Sequence, residues 1–476
     1  MTTEPARPRL LVAKGVFGPM GGAEMDLIRV LPHINRLFDV TMATIQASPE
    51  LEEACSTNGI KLLSPSSEWS LSTDPLSTIM DSGRGSASKA WASCDGLLEA
   101  LGSVSALHLV SGDGSLPLLD HVPDNLPIHL HMLEPHRGLY EETLHRRVDG
   151  SPRRNLTLTK AALSRARRRD QALVSSLISR EGSMVSGNST FSAQRTQEVY
   201  GVEAGVLWPC VDTGEFPPDP SGDPDNPYPE DDEYVTSIGR ASFAKGTWET
   251  ISMLSGTGLS LAHVGGGDEE SISALEEHAE SCGVGLWVAP RLTSPELVSL
   301  MRSSRAIVSM AHKESFGLTP IEAFAVGTPA LFVDEGGFRD TIVDGTNGRL
   351  LGRRDLPSWH SALQQASDPQ TREEWAENGR QRIEELDLSP SLSPNRSCSP
   401  SFASRSSVGG LVLTIRRRLN LHRGPQHLRV CAGQQRLLCQ AQAAVQKMLA
   451  QAHPRRASIA SQILPAIFSP SNRSSS

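Results

Sequence analysis

The chain has 476 residues, of which 38% are hydrophobic, and a formal net charge of −9. This length predicts two to four domains, and the composition excludes both a disulfide-stapled miniprotein and a wholly disordered chain. The charge is uneven, because residues 388–476 hold 11 arginines, one lysine and no acidic residue, whereas residues 1–387 hold 33 basic against 54 acidic residues. Because residues 1–387 are so acidic, they should repel the phosphate backbone of a nucleic acid. This argues against a nucleic-acid partner.

Cysteine usage and hydropathy bear on the compartment. The seven cysteines are scattered and form no C-x-x-C pair, which indicates a reducing compartment and no structural zinc. No window approaches the roughly 18 apolar residues of a membrane span, and residues 1–13 lack the apolar core of a signal peptide. We therefore expect a cytoplasmic protein, with a peripheral position on the inner face of the membrane as the open alternative.

Strand and helix patterns alternate through the N-terminal half. An apolar run at residues 10–13 leads into a glycine loop and then into apolar residues at helical spacing. Further strands are predicted at residues 40–45, 106–110 and 128–132, whereas the serine-rich residues 64–88 are predicted to form a surface loop. Strands that alternate with helices indicate a parallel sheet covered on both faces.

A proline-rich segment divides the chain. Residues 216–232 (FPPDPSGDPDNPYPEDD) cannot form a helix or a central strand. Strand–helix alternation restarts at residues 234–238 and continues to about residue 386. Two doubly wound domains joined in this way are expected to bind ligands in the cleft between them. The predicted divisions are an N-terminal Rossmann-like domain at 1–208, a linker at 209–232, a C-terminal Rossmann-like domain at 233–387 and an atypical tail at 388–476.

The tail is rich in Ser, Arg and Gln and has no predictable core. A disordered basic arm and a sequence that has left the reading frame of its ancestor both explain this composition.

The best candidate site lies at residues 312–327 (HKESFGLTPIEAFAVG), after an apolar strand. Thr319 is predicted as the helix N-cap and Pro320 as the first helical residue, so that a Thr-x-x-Glu capping box accounts for Glu322. Glu314 lies in the preceding loop, where a carboxylate gains no capping bond. A free helix N-terminus beside two carboxylates suits a nucleotide sugar, because backbone N–H groups hold phosphate and carboxylates accept sugar hydroxyls.

The spacing of Glu314 and Glu322 resembles the E-x7-E motif of retaining GT-B glycosyltransferases, the group 1 family. Three further segments are similar to motifs of that family, in the same order: Gly21-Gly22-Ala23-Glu24 to its glycine loop, residues 206–216 (VLWPCVDTGEF) to its interdomain PPVDT-x-x-F, and Gly239-Arg240 with Lys245-Gly246 to its G-R-x4-K-G signature. The resemblance covers roughly residues 9–386. It implies the GT-B fold, in which two Rossmann-like, doubly wound α/β domains face each other across a cleft.

The resemblance also implies roles for individual residues. Arg240 and Lys245 would hold the donor diphosphate, as a guanidinium fork beside a point charge. Glu322 would accept the ribose hydroxyls, and Glu314 the hydroxyls of the transferred sugar.

Backbone groups complete the implied donor site. The N–H groups of Leu318 and Thr319 would bind phosphate, and Gly22 would allow the backbone to approach the donor closely. No metal is expected, since the Asp223-x-Asp225 pair lies in the proline-rich linker and is interpreted as a solvated loop, and the cations with the helix terminus can serve the leaving group.

Residues 128–140 (IHLHMLEPHRGLY) resemble a segment of a branch that contains many mannosyltransferases. A gap-free match aligns Arg137 and Tyr140 with that segment but puts Leu133 where the branch has its histidine. If the loop is two residues longer in this chain, His131 takes the place of that histidine and is a candidate catalytic residue. The alternative is that His131 is a histidine packed in the protein interior.

Nine basic residues and one acidic residue lie between Arg146 and Arg169. Such a cluster could dock on anionic lipid at about 1 kcal/mol per cation, and a solvated helix face is the alternative.

The implied function is that of a retaining glycosyltransferase without a cofactor. It would move a hexosyl group, mannosyl or glucosyl, from a donor such as GDP-mannose or UDP-glucose to a glycolipid, polysaccharide or other hydroxyl acceptor. The alternatives are an inactive sugar-nucleotide-binding or scaffold protein and another GT-B enzyme such as a nucleotide-sugar epimerase. Only the anomalous tail speaks for the scaffold, because GT-B proteins usually brace the first domain with a C-terminal helix and no clear candidate follows Leu386.

Overall fold

The computed structural model describes residues 7–18, 20–67, 69–70, 82–386 and 388. The tail predicted at 388–476 therefore lies outside the described residues, apart from Leu388. That residue's carbonyl accepts a hydrogen bond from the N–H of Val211, at 3.0 Å. The described part contains two parallel sheets covered by helices.

The N-terminal sheet has seven parallel strands in the order β3-β2-β1-β4-β5-β6-β7. Its strands are β1 Arg9–Ala13, β2 Asp39–Ala43, β3 Lys61–Leu63, β4 Ala106–Val110, β5 Ile128–Met132, β6 Met184–Gly187 and β7 Gly205–Val206. The helices that accompany it are α1 Gly22–Leu37, α2 Pro49–Thr57, α3 Ser82–Ala92, α4 Leu97–Ser103, α5 Arg137–Tyr140, α6 Leu156–Ala162, α7 Ser164–Ser179 and α8 Thr190–Tyr200.

The C-terminal sheet has six parallel strands in the order β10-β9-β8-β11-β12-β13. Its strands are β8 Tyr234–Ile238, β9 Ser260–Val264, β10 Leu286–Val288, β11 Ile307–Ser309, β12 Ala330–Val333 and β13 Arg349–Leu351. Its helices are α9 Thr247–Leu254, α10 Glu269–Cys282, α11 Ser294–Ser303, α12 Thr319–Val326, α13 Phe338–Thr341, α14 Leu356–Gln365 and α15 Pro369–Leu386.

Strand β1 shows why the strands read as continuous apolar runs. Leu11 and Ala13 belong to one hydrophobic cluster, while Leu10 and Val12 belong to another. Because successive side chains of a strand point to opposite faces, the N-terminal sheet is buried on both of its faces. Because helices cover both faces of this sheet, ligands can reach it at the ends of its strands. The loops that follow those strand ends carry the candidate site residues.

The strands predicted at 106–110, 128–132 and 234–238 are confirmed as β4, β5 and β8. The surface loop predicted at 64–88 is wrong at both ends. Trp69 is buried, and its indole N–H donates to Ser86 Oγ at 2.8 Å, while α3 begins at Ser82. Packing of Ala87 and Trp91 into the core stabilises this serine-rich helix despite its weak helical preference.

The proline-rich linker is fixed to the C-terminal half. Asp223 Oδ2 accepts a hydrogen bond from Arg302 Nε at 2.7 Å, and both side chains are largely buried. The interpretation of Asp223 as part of a solvated loop is therefore wrong. Tyr228 stacks on Tyr234 of β8, with 4.1 Å between the ring centroids.

Candidate functional site

A cavity of about 740 Å³ lies between the two sheets and is lined by residues from both. Lys14, Asp113 and His136 come from loops that follow β1, β4 and β5. Parallel doubly wound sheets bind ligands beyond the carboxyl ends of their strands, at the point where the strand order reverses. In the N-terminal sheet that point lies between β1 and β4.

Three predicted donor residues line this cavity from the C-terminal half, namely Arg240, Lys245 and Glu314. Lys245 Nζ lies 2.7 Å from Glu314 Oε2, although the two residues are 69 positions apart. Burial tends to raise the pKa of Glu314, but Lys245 and Arg137 outweigh it and lower that pKa to about 2. Glu314 is therefore a carboxylate at any physiological pH and can accept hydrogen bonds from hydroxyl groups.

Gly246 sets the position of Lys245. Its φ is +67°, and a Cβ atom there would lie 2.0 Å from the carbonyl oxygen of Met310, at the end of the neighbouring strand. Only glycine fits a left-handed residue in such close contact with backbone. The chain can thus turn directly from Lys245 into α9, which directs the lysine toward the Glu314 loop.

The Glu314 loop is held from the N-terminal half. Arg137 donates from its guanidinium to the carbonyl of Lys313 at 2.5 Å, and the hydroxyl of Ser189 donates to the carbonyl of Ser315. Lys313 has a φ of +50°, which is uncommon for a residue other than glycine. Two contacts from the opposite half therefore flank Glu314 and keep this loop at the cavity.

Arg240 differs from Lys245 in its surroundings. It is exposed, and its guanidinium makes no ion pair or hydrogen bond with the residues that the structure describes. Five N–H donors are thus available to an anionic ligand in the cavity.

The start of α12 differs from its prediction. The N-cap is Leu318 and not Thr319, and no side-chain capping bond forms there. Pro320 follows at the second helical position, so the chain enters the helix one residue earlier than a Thr-x-x-Glu box requires. Within the described residues, the N–H groups of Leu318 and Thr319 donate no hydrogen bond. A Cβ atom on Gly22 would lie 2.9 Å from Leu318 Cδ1, so the glycine loop closely approaches this helix terminus.

Because no capping box forms, the Glu322 side chain does not cap the N-terminus of α12. Burial raises its pKa to about 7, while nearby Arg29 lowers this pKa and Glu215 raises it. Arg29 and Glu215 pair with each other, with 2.6 Å between guanidinium nitrogen and carboxylate oxygen. No residue of the described part hydrogen-bonds to the Glu322 carboxyl group, so its acceptor oxygens can take a ligand.

The structure does not bring His131 together with Glu314 and Lys245. His131 lies inside β5, is 3% exposed, and lines a small cavity beside Asp26 rather than the large one. Burial lowers its pKa to about 4, so the ring is neutral at physiological pH. Its ring packs in a three-membered cluster with those of His108 and His129, which matches the packed histidine that the sequence left as the alternative.

Sequence reasoning missed two charged pairs on the N-terminal side of the cavity. Lys14 Nζ lies 3.0 Å from Glu24 Oε1, and the lysine is only 4% exposed. His136 Nε2 lies 3.3 Å from Asp113 Oδ1, and Asp113, with Asp170, raises the pKa of His136 against the effect of burial. One signal in the sequence could have identified Lys14 as a candidate site residue. It is one of few lysines in the chain, and it follows β1 directly.

Some basic residues of the cluster at 146–169 make contacts within the protein, whereas others are exposed to solvent. Arg146 pairs with Glu142 at 3.1 Å, and Arg167 donates to backbone carbonyls. Arg165 and Arg168 of α7 are exposed. The accessible part of the cluster thus includes the outer face of α7, together with the exposed residues Arg147, Arg153, Arg154 and Lys160 that precede it.

Among the described residues, no helix is long and apolar enough to cross a membrane. No group of three or more His, Cys, Asp or Glu side chains in the described ranges is positioned to hold a metal ion.

Comparison with known proteins gives matches to glycosyltransferases. Residues 222–382 match the family model for glycosyl transferases group 1. A D-inositol 3-phosphate glycosyltransferase of Gordonia bronchialis is 32% identical over 141 residues, which are 28% of this chain and 31% of that protein. The chain thus matches about a third of the length of this curated relative.

Solved structures match over a longer stretch. A glycosyltransferase of Rickettsia africae has a TM-score of 0.58 at 14% identity, with 87% of this chain and 100% of that chain covered. The Anabaena protein HepE, solved in complex with UDP and glucose, has a TM-score of 0.55 at 14% identity, with 80% of this chain and 96% of that chain covered. The fold prediction is confirmed: the two doubly wound sheets form a GT-B fold.

Proposed function

We propose that this protein, whose residues 222–382 form a glycosyl transferases group 1 domain, transfers a hexosyl group from a nucleoside diphosphate sugar to an acceptor hydroxyl, with retention at the anomeric carbon. The observation that carries the proposal is the junction of Arg240, Lys245 and the ionised Glu314 in one cavity between the halves. A donor of this kind has a dianionic diphosphate next to a polyhydroxylated ring, and the cavity offers cations next to a carboxylate.

In the proposed donor pose, Arg240 and Lys245 bind the diphosphate, and the N–H groups of Leu318 and Thr319 add neutral donors at the start of α12. Glu314 accepts hydroxyls of the transferred sugar, and Glu322 accepts the ribose hydroxyls. GDP-mannose and UDP-glucose are the first donors to test. The HepE complex with UDP and glucose supports a uridine nucleotide among the candidates.

The proposed reaction exchanges one bond at the anomeric carbon. The bond from that carbon to the diphosphate oxygen breaks as the acceptor oxygen bonds to the same face, and the acceptor proton passes to the leaving phosphate oxygen. Negative charge grows on the diphosphate, so that preorganised cations beside it stabilise the transition state more than the ground state. Neither a metal nor a cofactor is part of this proposal.

The proposed acceptor is a glycolipid, a polysaccharide or another hydroxyl compound, reached from an anionic membrane surface. The exposed cations of α7 and the exposed Leu158 of α6 support such a surface, because an interfacial helix pairs basic residues with apolar ones. We propose a cytoplasmic location on this basis.

Thermal unfolding of the full chain tests the donor proposal. We expect GDP-mannose, UDP-glucose or a related nucleotide sugar to raise the Tm by several degrees at about 100 times its Kd. Arg240→Ala should abolish the rise with little effect on the Tm of the free protein, because the exposed Arg240 guanidinium makes no hydrogen bond or ion pair with a described residue. Arg354→Ala, an exposed arginine of the same half that does not line the cavity, is the matched control.

A chain that melts cooperatively and shifts with no nucleotide sugar would contradict the proposal and favour the scaffold alternative. Conversion of the donor without any acceptor would instead identify an epimerase.

A further inference from the structure

One part of the N-terminal wall of the large cavity is apolar, beside charged residues of the same half such as Arg84, Arg169 and Asp170. Leucine side chains from several elements line it, together with Trp69 and Pro117. These leucines are Leu116, Leu133, Leu139, Leu144, Leu163 and Leu173. A sugar hydroxyl gains nothing from such a wall, whereas an alkyl or acyl group gains by leaving water.

Three of these leucines lie on neighbouring elements. Leu163 joins α6 to α7 and is buried, and Leu173 lies further along α7, where it packs partly on the core of the N-terminal sheet. Leu139 belongs to α5, which neighbours α7. The apolar part of the cavity is therefore built largely by α5 and α7.

Leu144 continues this wall to the surface. It lines the cavity and is nevertheless 51% exposed. A chain that is too long for the cavity can thus leave it over the exposed side chain of Leu144.

The polar residues of the same cavity lie where a hydroxyl group is needed. Lys14, Asp113 and His136 follow the strand ends, and Glu314 and Lys245 face them from the other half. Since one cavity contains both the polar and the apolar wall, the molecule that presents its hydroxyl to the donor also reaches the leucines.

We infer that the acceptor is an amphiphile, in which a hydroxylated head group lies at the strand ends and an alkyl or acyl chain lies against the leucine wall. The inference rests on the proposed function and narrows its acceptor class from any hydroxyl compound to one with an apolar chain. Each methylene that is fully buried there should strengthen binding by about fourfold.

Calorimetric titration of the full chain with methyl and octyl β-D-glucopyranoside, the latter below its micelle concentration, tests the inference. The two probes share one head group and differ only in the alkyl chain. We expect the octyl probe to bind at least tenfold more tightly than the methyl probe. Leu144→Ser and Leu173→Ser should remove most of that advantage, whereas Leu98→Ser, at a leucine that is 64% exposed and does not line the cavity, should leave it unchanged.

Equal affinity for the two probes, binding of neither probe, or an octyl advantage that persists in both cavity variants would overturn the inference. Leu144→Ser keeps the test valid if Leu173→Ser fails to fold, because Leu144 is half exposed. The donor-induced Tm shift is measured separately. A donor shift without an octyl preference defeats only the amphiphile, whereas an absent donor shift defeats the proposed function.

Discussion

Lys245 Nζ and Glu314 Oε2 lie 2.7 Å apart and join the loop after β8 to the loop after β11 within the cavity. The lysine keeps the pKa of the buried Glu314 near 2, and the carboxylate in turn holds the ammonium group toward the ligand space. Each residue thus fixes the charge or the position of the other.

Lys245→Ala should lower turnover by two to three orders of magnitude, because a preorganised cation on the leaving diphosphate is removed. It should also raise the pKa of Glu314, since Lys245 is the largest influence that lowers it. Steady-state rates with the donor identified by thermal shift measure the first effect. Lys89→Ala, at an exposed lysine of α3, is the control. A Lys245→Ala variant with half of the normal rate would rule out the donor role.

Gly317 provides a test of the loop between Glu314 and α12. Its φ is +81°, and a Cβ atom there would lie 2.4 Å from Phe338 Cε1, which belongs to a fully packed ring. We expect Gly317→Ala to destabilise the fold by about 1–3 kcal/mol, through backbone strain and displacement of that ring. Gly256→Ala separates the two causes, because Gly256 has a φ of +77° and open space around it.

Chemical denaturation of both glycine variants measures the difference. A larger loss of stability in Gly317→Ala than in Gly256→Ala is the expected result, and equal losses would show that the contact with Phe338 contributes nothing.

Glu322 should make donor binding depend on pH. Its pKa lies near 7, so the group gains its charge as the pH rises through neutrality. A carboxylate accepts ribose hydroxyls better than a neutral acid does, so donor affinity should increase as the pH rises from about 6 to about 8. Glu322→Gln should flatten this dependence. Glu215→Gln should move its midpoint to lower pH, since Glu215 raises the pKa of Glu322.

Calorimetric titration with the intact nucleotide sugar across this range is the measurement. An unchanged pH profile in Glu322→Gln would assign the dependence to another group, of which Asp26, with a pKa near 7, is the first to examine.

The fold, and the meeting of Lys245 and Glu314 in one cavity, could be predicted from the sequence because their signals are local. A strand that is buried on both faces is a continuous apolar run, and Lys245-Gly246 needs its glycine for a contact of backbone with backbone. The capping interpretation of Thr319 failed because the chain enters α12 one residue early, at Leu318. That shift depends on contacts of the preceding loop with Phe338 and with the N-terminal half, none of which is local in sequence.

The N-terminal side of the cavity could not be predicted from the sequence, for a related reason. Lys14, Asp113 and His136 meet only because β1, β4 and β5 are neighbours in the sheet, and no spacing in the sequence records that adjacency. His131 was selected by its place in a motif, yet the alternation of side chains along β5 directs it into the core.

Binding to lipid vesicles tests the role of the α7 face. At about 0.1 M salt, vesicles that contain anionic lipid should sediment the protein and neutral vesicles should not, because each cation near the surface contributes about 1 kcal/mol and is screened over about 10 Å. Charge reversal in Arg165→Glu/Arg168→Glu should weaken sedimentation at least tenfold. Arg36→Glu/Arg354→Glu makes the same change of net charge at exposed sites on α1 and after β13, and it should bind nearly as well as the wild type. If the two double variants lose binding equally, net charge and not the α7 face governs the association, and the basic cluster is a solvated helix face.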